Sequence, residues 1–444
     1  MKTPIIDFVK QYRETGESRF HMPGHKGKAL LGMEALDITE IDGADVLYSA
    51  DGIINESEDL ASSLFGTAHT FYSAEGSTLA IKAMLALVSQ TDDGERPLIL
   101  AGRNAHKAFI YGAALLGIEV AWLYPEPFTH LCRCEITAVL LEKKLSEMKR
   151  KPCAVYITSP DYLGQTADIR ALADVCKRRN IPMLVDNAHG AYLHFLEESR
   201  HPIALGATMC CDSAHKTLPV LTGGAYLHIS DSAPKEYLEN ARNMLALFAS
   251  TSPSYLILQS LDRANAYLAD AYPARLAACI QRVEDVKARL SKIGFAPEAS
   301  EPLKIVLHAS LYGHTGGDLA VHLKKHRIVP EFYDGEYLVL MITPENDPLD
   351  FERLLAAFDG LKPKKPIDLP EFSLRKGICR MSVREAMLGA QEIVPVERAV
   401  GRICAAPTVS CPPAVPIVIS GEEITAEAVE IFRFYGIEKI AVVK

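Results

Sequence analysis

Nowhere in the 444-residue sequence do about 20 apolar residues run together, the length that a membrane-spanning helix needs. Met1–Lys10 mixes charges with apolar residues where a secretory leader would build an apolar core. A basic surplus is missing too. Lys and Arg number 47 against 56 for Asp and Glu, a net charge of −9, and no basic run is interleaved with aromatics, so a nucleic-acid surface is disfavoured. The ten cysteines include no C-x-x-C pair; Cys132 and Cys134 are separated by one residue, and Cys210 and Cys211 are adjacent. A zinc site wants paired ligands at loop spacing, and a disulfide framework wants a short secreted chain. The pattern therefore reads as reduced thiols, no metal, no membrane and a cytoplasmic protein. Internal repeats and low-complexity tracts are also absent.

What is present is the composition of a soluble globular protein, 48 % apolar and 23 % charged, in a chain long enough for two or three domains. From about residue 97, short β-rich runs alternate with amphipathic segments. The runs Pro97–Ala101, Ile118–Leu123, Cys153–Thr158, Pro182–Asp186, Ala207–Cys211 and Ala225–Ile229 read as strands. Ala105–Leu116, Ile136–Lys149 and Ile169–Arg179 read as helices between them. Strands apolar on both faces predict an α/β fold with a mostly parallel sheet covered by helices. The division read from the sequence is a leading segment over 1–30, a large domain over 31–271, a small α+β domain over 272–361, a Pro- and Lys-rich linker over 362–370 and a C-terminal α+β module over 371–444. Within it, Tyr255–Ala271 reads as one long helix punctuated by Tyr272-Pro273.

The chemistry centres on two strand ends, where functional residues of such sheets gather. In LVDNAHGA an apolar run stops at Asp186 and continues to His189; in CCDSAHKTLP, Ser213, His215 and Lys216 follow another. Alone, a strand-end Asp is ordinarily a cap and a Lys beside it a solvated charge. Together they are the pair that pyridoxal phosphate (PLP) requires: an amine to bond the cofactor aldehyde and a carboxylate to keep the pyridine nitrogen protonated. Gly76, Ser77 and Thr78 open an amphipathic helix whose N-terminus suits a phosphate. Gly223-Gly224 permits close backbone approach, and His106 follows a strand where its ring can stack on a pyridine face.

Segments spread along the chain carry a resemblance. RFHMPGHKG (Arg19–Gly27), LDITEIDGADVL, GSTLAIKAM, TSPDYLGQTADI, SAHKTLPVLT, STSPSYLILQSLDRA and CPPAVPIVISGEEI (Cys411–Ile424) resemble, in order, the ornithine/lysine/arginine decarboxylases, short members without a receiver-like N-terminal domain. The resemblance implies the type I fold of PLP enzymes, with 1–30 at the active-site entrance and 31–271 binding the cofactor. It also implies that Lys216 carries PLP and Asp186 pairs with its ring nitrogen, with His106 stacked on the ring. Gly76, Ser77, Thr78, Ser213 and His215 would surround the phosphate, and His189 would lie beside the cofactor. Family members are dimers or larger, so Thr251 and Ser252 would approach a neighbouring subunit's cofactor. The implied reaction is decarboxylation of a basic amino acid, arginine before lysine or ornithine, as in polyamine synthesis. Glu422 is the candidate partner for the substrate's distal cation, although a loop acid of this kind is ordinarily solvated. Leu79, Ala80, Gly223, Ala414 and Ser420 depart from the family pattern. Strand-end Asp and Lys alone leave open transamination, β-elimination or a non-catalytic scaffold.

Overall fold

A computed structural model describes every residue except 91–94, 127, 129, 370–375 and 408–412. The last residue of the expected linker, the start of the C-terminal module, and Cys411 and Pro412 thus lie outside the described residues. The chain divides into two compact units. One comprises Met1–Gly94, Cys153–Ile157 and Ile169–Ala274; the other comprises Glu95–Pro152, Thr158–Asp168 and Arg275–Lys444.

The expected sheet is present, mostly parallel and seven-stranded. Its strands are β1 (His69–Ser73), β2 (Leu98–Gly102), β3 (Glu119–Leu123), β4 (Ala154–Thr158), β5 (Met183–Asp186), β6 (Met209–Asp212) and β7 (Ala225–Ile229). They lie in the order β1-β7-β6-β5-β4-β2-β3. β2–β3 and β5–β6 are parallel, while β7 runs antiparallel to both β6 and β1. Every residue of β5 and β6 is buried, which is why these strands read as continuous apolar runs.

In the first unit, helix α1 (Pro4–Thr15) has Pro at its start, where no backbone donor is lost. Its free Ile5 and Ile6 amides donate to Asp262 Oδ2, both at 3.1 Å, and the Ser57 hydroxyl donates to Oδ1. Helices α2 (Ile53–Phe65) and α3 (Gly76–Val88) follow. Nine of the thirteen α3 residues are buried, so no amphipathic face remains. Tyr272-Pro273 does not merely end a helix. Tyr255–Leu268 stops early, and Tyr272 and Pro273 begin the next one, Tyr272–Ile293, because Pro is tolerated in a first turn.

In the second unit, α4 (Lys107–Leu116) is capped by the His106 imidazole, which accepts from the Ala108 amide, and ends at Gly117, φ 70°. A sheet of β8 (Lys304–His308), β9 (Phe332–Tyr333) and β10 (Tyr337–Met341) has the order β8-β10-β9. The antiparallel pair β11 (Gln391–Pro395) and β12 (Lys439–Val443) packs over Val396, Cys404, Ile424 and Phe432. Nine cysteines fall among the described residues, all free, and only Cys379 is exposed. No helix among the described residues is long and apolar enough to cross a membrane.

Candidate active site

The first unit gathers most of the residues singled out in the sequence. Asp186 ends β5 at 2 % exposure. The Tyr156 hydroxyl donates to its Oδ2 at 3.0 Å, and the Ala188 amide donates to Oδ1 at 3.3 Å. Tyr156 lies on the neighbouring strand, and nothing in the sequence marks it as a partner.

Beyond β6 the chain turns into the short helix Ala214–Thr217. Lys216 Nζ lies 3.0 Å from His189 Nε2, so the two strand ends meet at an amine and an imidazole. Ser213 is buried and donates through Oγ to Ser77 Oγ at 2.7 Å, which joins the β6 end to the start of α3. Gly76 there has φ 71°, and a side chain placed on it would meet nothing within 4 Å; the helix start opens onto space. Its amide donates to the Gly223 carbonyl at 2.7 Å, an approach that the glycine at 223 (φ 99°) allows. His215 Nδ1–H donates to the Gly224 carbonyl at 3.0 Å, and burial lowers its pKa from the usual value. Thr78 is half-buried in the first turn of α3. Thr251 and Ser252 are exposed, and the adjacent Ser250 amide donates to Glu75.

The second unit holds His106 and Glu422. Two buried ties bind the C-terminal module to the loop carrying His106. The Lys107 amide donates to the Ala414 carbonyl at 2.9 Å. Arg103, 4 % exposed, donates through Nη1 to Pro416 O and through Nη2 to Ile417 O, both at 2.9 Å, and lies over Trp122. Ala414 keeps the left-handed backbone, φ 58°, that its family counterpart glycine adopts freely. The expectation of a solvated Glu422 is overturned: it is 5 % exposed, because its Oε2 accepts from the Ile419 amide at 2.9 Å and its carboxylate packs on Gly377. Ser420, also a departure from the family pattern, is buried with its hydroxyl unpartnered.

Residues 3–305 match the model of the Orn/Lys/Arg decarboxylase major domain, and residues 378–439 match the C-terminal domain of the same family. A Bacillus anthracis protein named arginine decarboxylase is 28 % identical over 97 % of this chain and 92 % of its own length. Among solved structures, the Escherichia coli constitutive lysine decarboxylase superposes with a TM-score of 0.79 at 17 % identity, covering all of this chain and 82 % of that one. A structure described as SPT with PLP has a TM-score of 0.58 at 13 % identity, covering 80 % of this chain and 83 % of the other. With its large and C-terminal parts both matched, the chain belongs to the Orn/Lys/Arg decarboxylase family and is an amino-acid decarboxylase.

Proposed function

We propose that this chain removes CO₂ from a basic amino acid, arginine ahead of lysine and ornithine, with PLP as cofactor. The observation that carries the proposal is the convergence of Asp186, the Lys216–His189 pair and the Ser213–Ser77 contact at the ends of β5 and β6 and the start of α3. These residues suit the cofactor: an open helix N-terminus for a phosphate, a buried carboxylate for a ring nitrogen and an amine for an aldehyde. When bound there, PLP supplies the electron sink for the bond that breaks.

The chain's own residues would do the rest. Lys216 Nζ would hold the cofactor through its unprotonated amine, and His189 Nε2, 3.0 Å away, is placed to take the proton. Asp186 is kept in position by Tyr156 and Ala188, so its carboxylate would pair with a protonated ring nitrogen without rearranging. Gly76, Ser77, Thr78 and Ser213 would hold the phosphate. His215, its Nδ1–H donated to the Gly224 carbonyl, would join them through Nε2, where a nearby anion favours the protonated ring against the burial that lowers its pKa. His106 is assigned to the ring face. The buried Glu422 is assigned to the substrate's distal cation, which needs a carboxylate partner when taken out of water. Thr251 and Ser252 are exposed, as residues reserved for a partner subunit's site would be, and the working unit is a homodimer or larger.

The test is product analysis with arginine, lysine and ornithine in the presence of PLP. CO₂ and the matching amine are expected from one of the three, and Lys216→Ala should abolish both turnover and the visible absorbance of lysine-bound cofactor. A keto acid in place of CO₂, or full activity in Lys216→Ala, refutes the proposal.

A further inference from the structure

Strand alternation sends the adjacent cysteines of β6 to opposite faces of the sheet. Cys211 faces the candidate active site, its Sγ 3.7 Å from Asp186 Oδ1. Cys210 and Asp212 point the other way. On the antiparallel neighbour β7, His228 stands opposite Cys210, and Thr70 of β1 stands opposite His228. His201, just before β6, completes the group. His201, Cys210, Asp212 and His228 are all fully buried at 0 % exposure. Both imidazole Nε2 atoms lie 3.1 Å from Asp212 Oδ2, and Cys210 Sγ lies 3.8 Å from His201 Nε2. One ligand atom from each residue falls within 4.8 Å of the other three.

We propose that His201, Cys210, Asp212 and His228 form a structural site for a zinc-class divalent metal ion, held by two imidazole nitrogens, one thiolate and one carboxylate oxygen. Bonds of about 2.0–2.1 Å to nitrogen and oxygen and about 2.3 Å to sulfur, at tetrahedral angles, give N···O edges near 3.3 Å and N···S edges near 3.6 Å. The distances found, 3.1 and 3.8 Å, lie within about 0.2 Å of those values. Two imidazoles bound at the tetrahedral angle also bring their centroids to about 5 Å. The His201 and His228 centroids are 5.1 Å apart. Two of the four ligands are also held from outside: His228 Nδ1 lies 2.9 Å from Thr70 Oγ1, and Asn187 Nδ2 donates to Asp212 Oδ1 at 2.7 Å, while His201 Nδ1 is buried without a partner.

Charge balance favours an ion independently of distance. Among the described residues, the ionic partners of Asp212 are the two imidazoles, with no lysine or arginine. A divalent ion neutralises the carboxylate and the thiolate together, and the displaced thiol proton leaves to solvent. Such an ion would tie β6 to β7 one residue before Ser213, bracing the strand end that carries Ser213 and Lys216 without touching the reacting atoms.

The test is metal content of the full-length chain, purified without a histidine tag or chelator and measured by mass spectrometry. About one equivalent of metal per chain is expected, with a thiolate-to-metal charge-transfer band when the protein is produced in cobalt-supplemented medium. Cys210→Ser should fold, lose that band and bind at least about tenfold less metal, whereas a plain hydrogen-bond network would not register the thiol. Wild-type protein carrying under about 0.1 equivalent and showing no cobalt–thiolate band overturns the proposal, whether or not the variant folds. Because metal content is read independently of cofactor absorbance and CO₂ release, it fails or holds separately from the assigned reaction.

Discussion

Replacing Arg103 by Met should loosen the C-terminal module from the loop that carries His106. The guanidinium makes two 2.9 Å bonds, to Pro416 O and Ile417 O, at 4 % exposure. A hydrogen bond from a charged donor contributes about 1.5–3 kcal/mol, and the cation over Trp122 adds about 0.5–2 kcal/mol. The two bonds share one group and do not add fully, so about 3–4 kcal/mol is a reasonable total. At about 1.4 kcal/mol per factor of ten, local opening becomes about 10²- to 10³-fold more frequent. Met retains the apolar contact, so the loss isolates the polar tie. Native-state hydrogen exchange reads the effect directly at the Lys107 amide, whose acceptor is Ala414 O. Arg103→Lys, with one compact donor group in place of a planar fork, should fall between, at about tenfold. Lys107 protection within about threefold of wild type in Arg103→Met would refute the clamp.

Four further outcomes follow from the same geometry. Asp186→Asn keeps the shape and removes the charge; kcat should fall at least about 10²-fold, about 2.7 kcal/mol, and a near-normal rate would assign the ring nitrogen to another acid. Asp161, raised by burial to about 6 from 3.8 despite the Gln165 amide and Lys304, holds its proton in the fold where the unfolded chain has released it. Its contribution to stability is therefore full below about pH 4 and lost as pH rises through about 6; Asp161→Asn should remove up to about 3 kcal/mol of pH dependence in denaturant unfolding, and parallel curves would contradict this. Lys304→Met removes the cation that faces Glu301, their side chains both 1 % exposed and 2.8 Å apart, and should cost about 3–5 kcal/mol, most of it recovered in Lys304→Met/Glu301→Leu; equal losses in the single and double variants would show that the pair itself is not the cause. Glu422→Gln should raise KM for the basic amino acid much more than it lowers kcat, and an unchanged KM would make its burial purely structural.

The regular core was legible because its signals are local. The run Ala225–Ile229 is a strand at those bounds, and the other five strands read from the sequence shift by one or two residues. Lys216, His189 and Asp186 were legible as strand-end residues in a β-α rhythm. The partners that fix them were not. Tyr156 reaches Asp186 only through the lateral order of β4 and β5, and Arg103 finds its acceptors 313 and 314 residues away. The strand β1 escaped because HTFYS is short and antiparallel to β7, outside the β-α rhythm that begins near residue 97. The His201–His228 cluster has no motif spacing; it exists because register pairs Cys210 with His228, and one unpaired cysteine gives no warning of it.

Cys379 makes the C-terminal module addressable by chemistry. The other described thiols are buried, Cys153 partly, while Cys379 is exposed and bridges through its backbone to Glu422. Among the described thiols a maleimide fluorophore would therefore favour this position, although partial burial and the Glu422 charge raise its pKa and slow the reaction at neutral pH. Labelled there, the chain would carry a reporter beside the acid proposed to receive the substrate's distal cation, and on that proposal a basic amino acid should change the emission before any product forms.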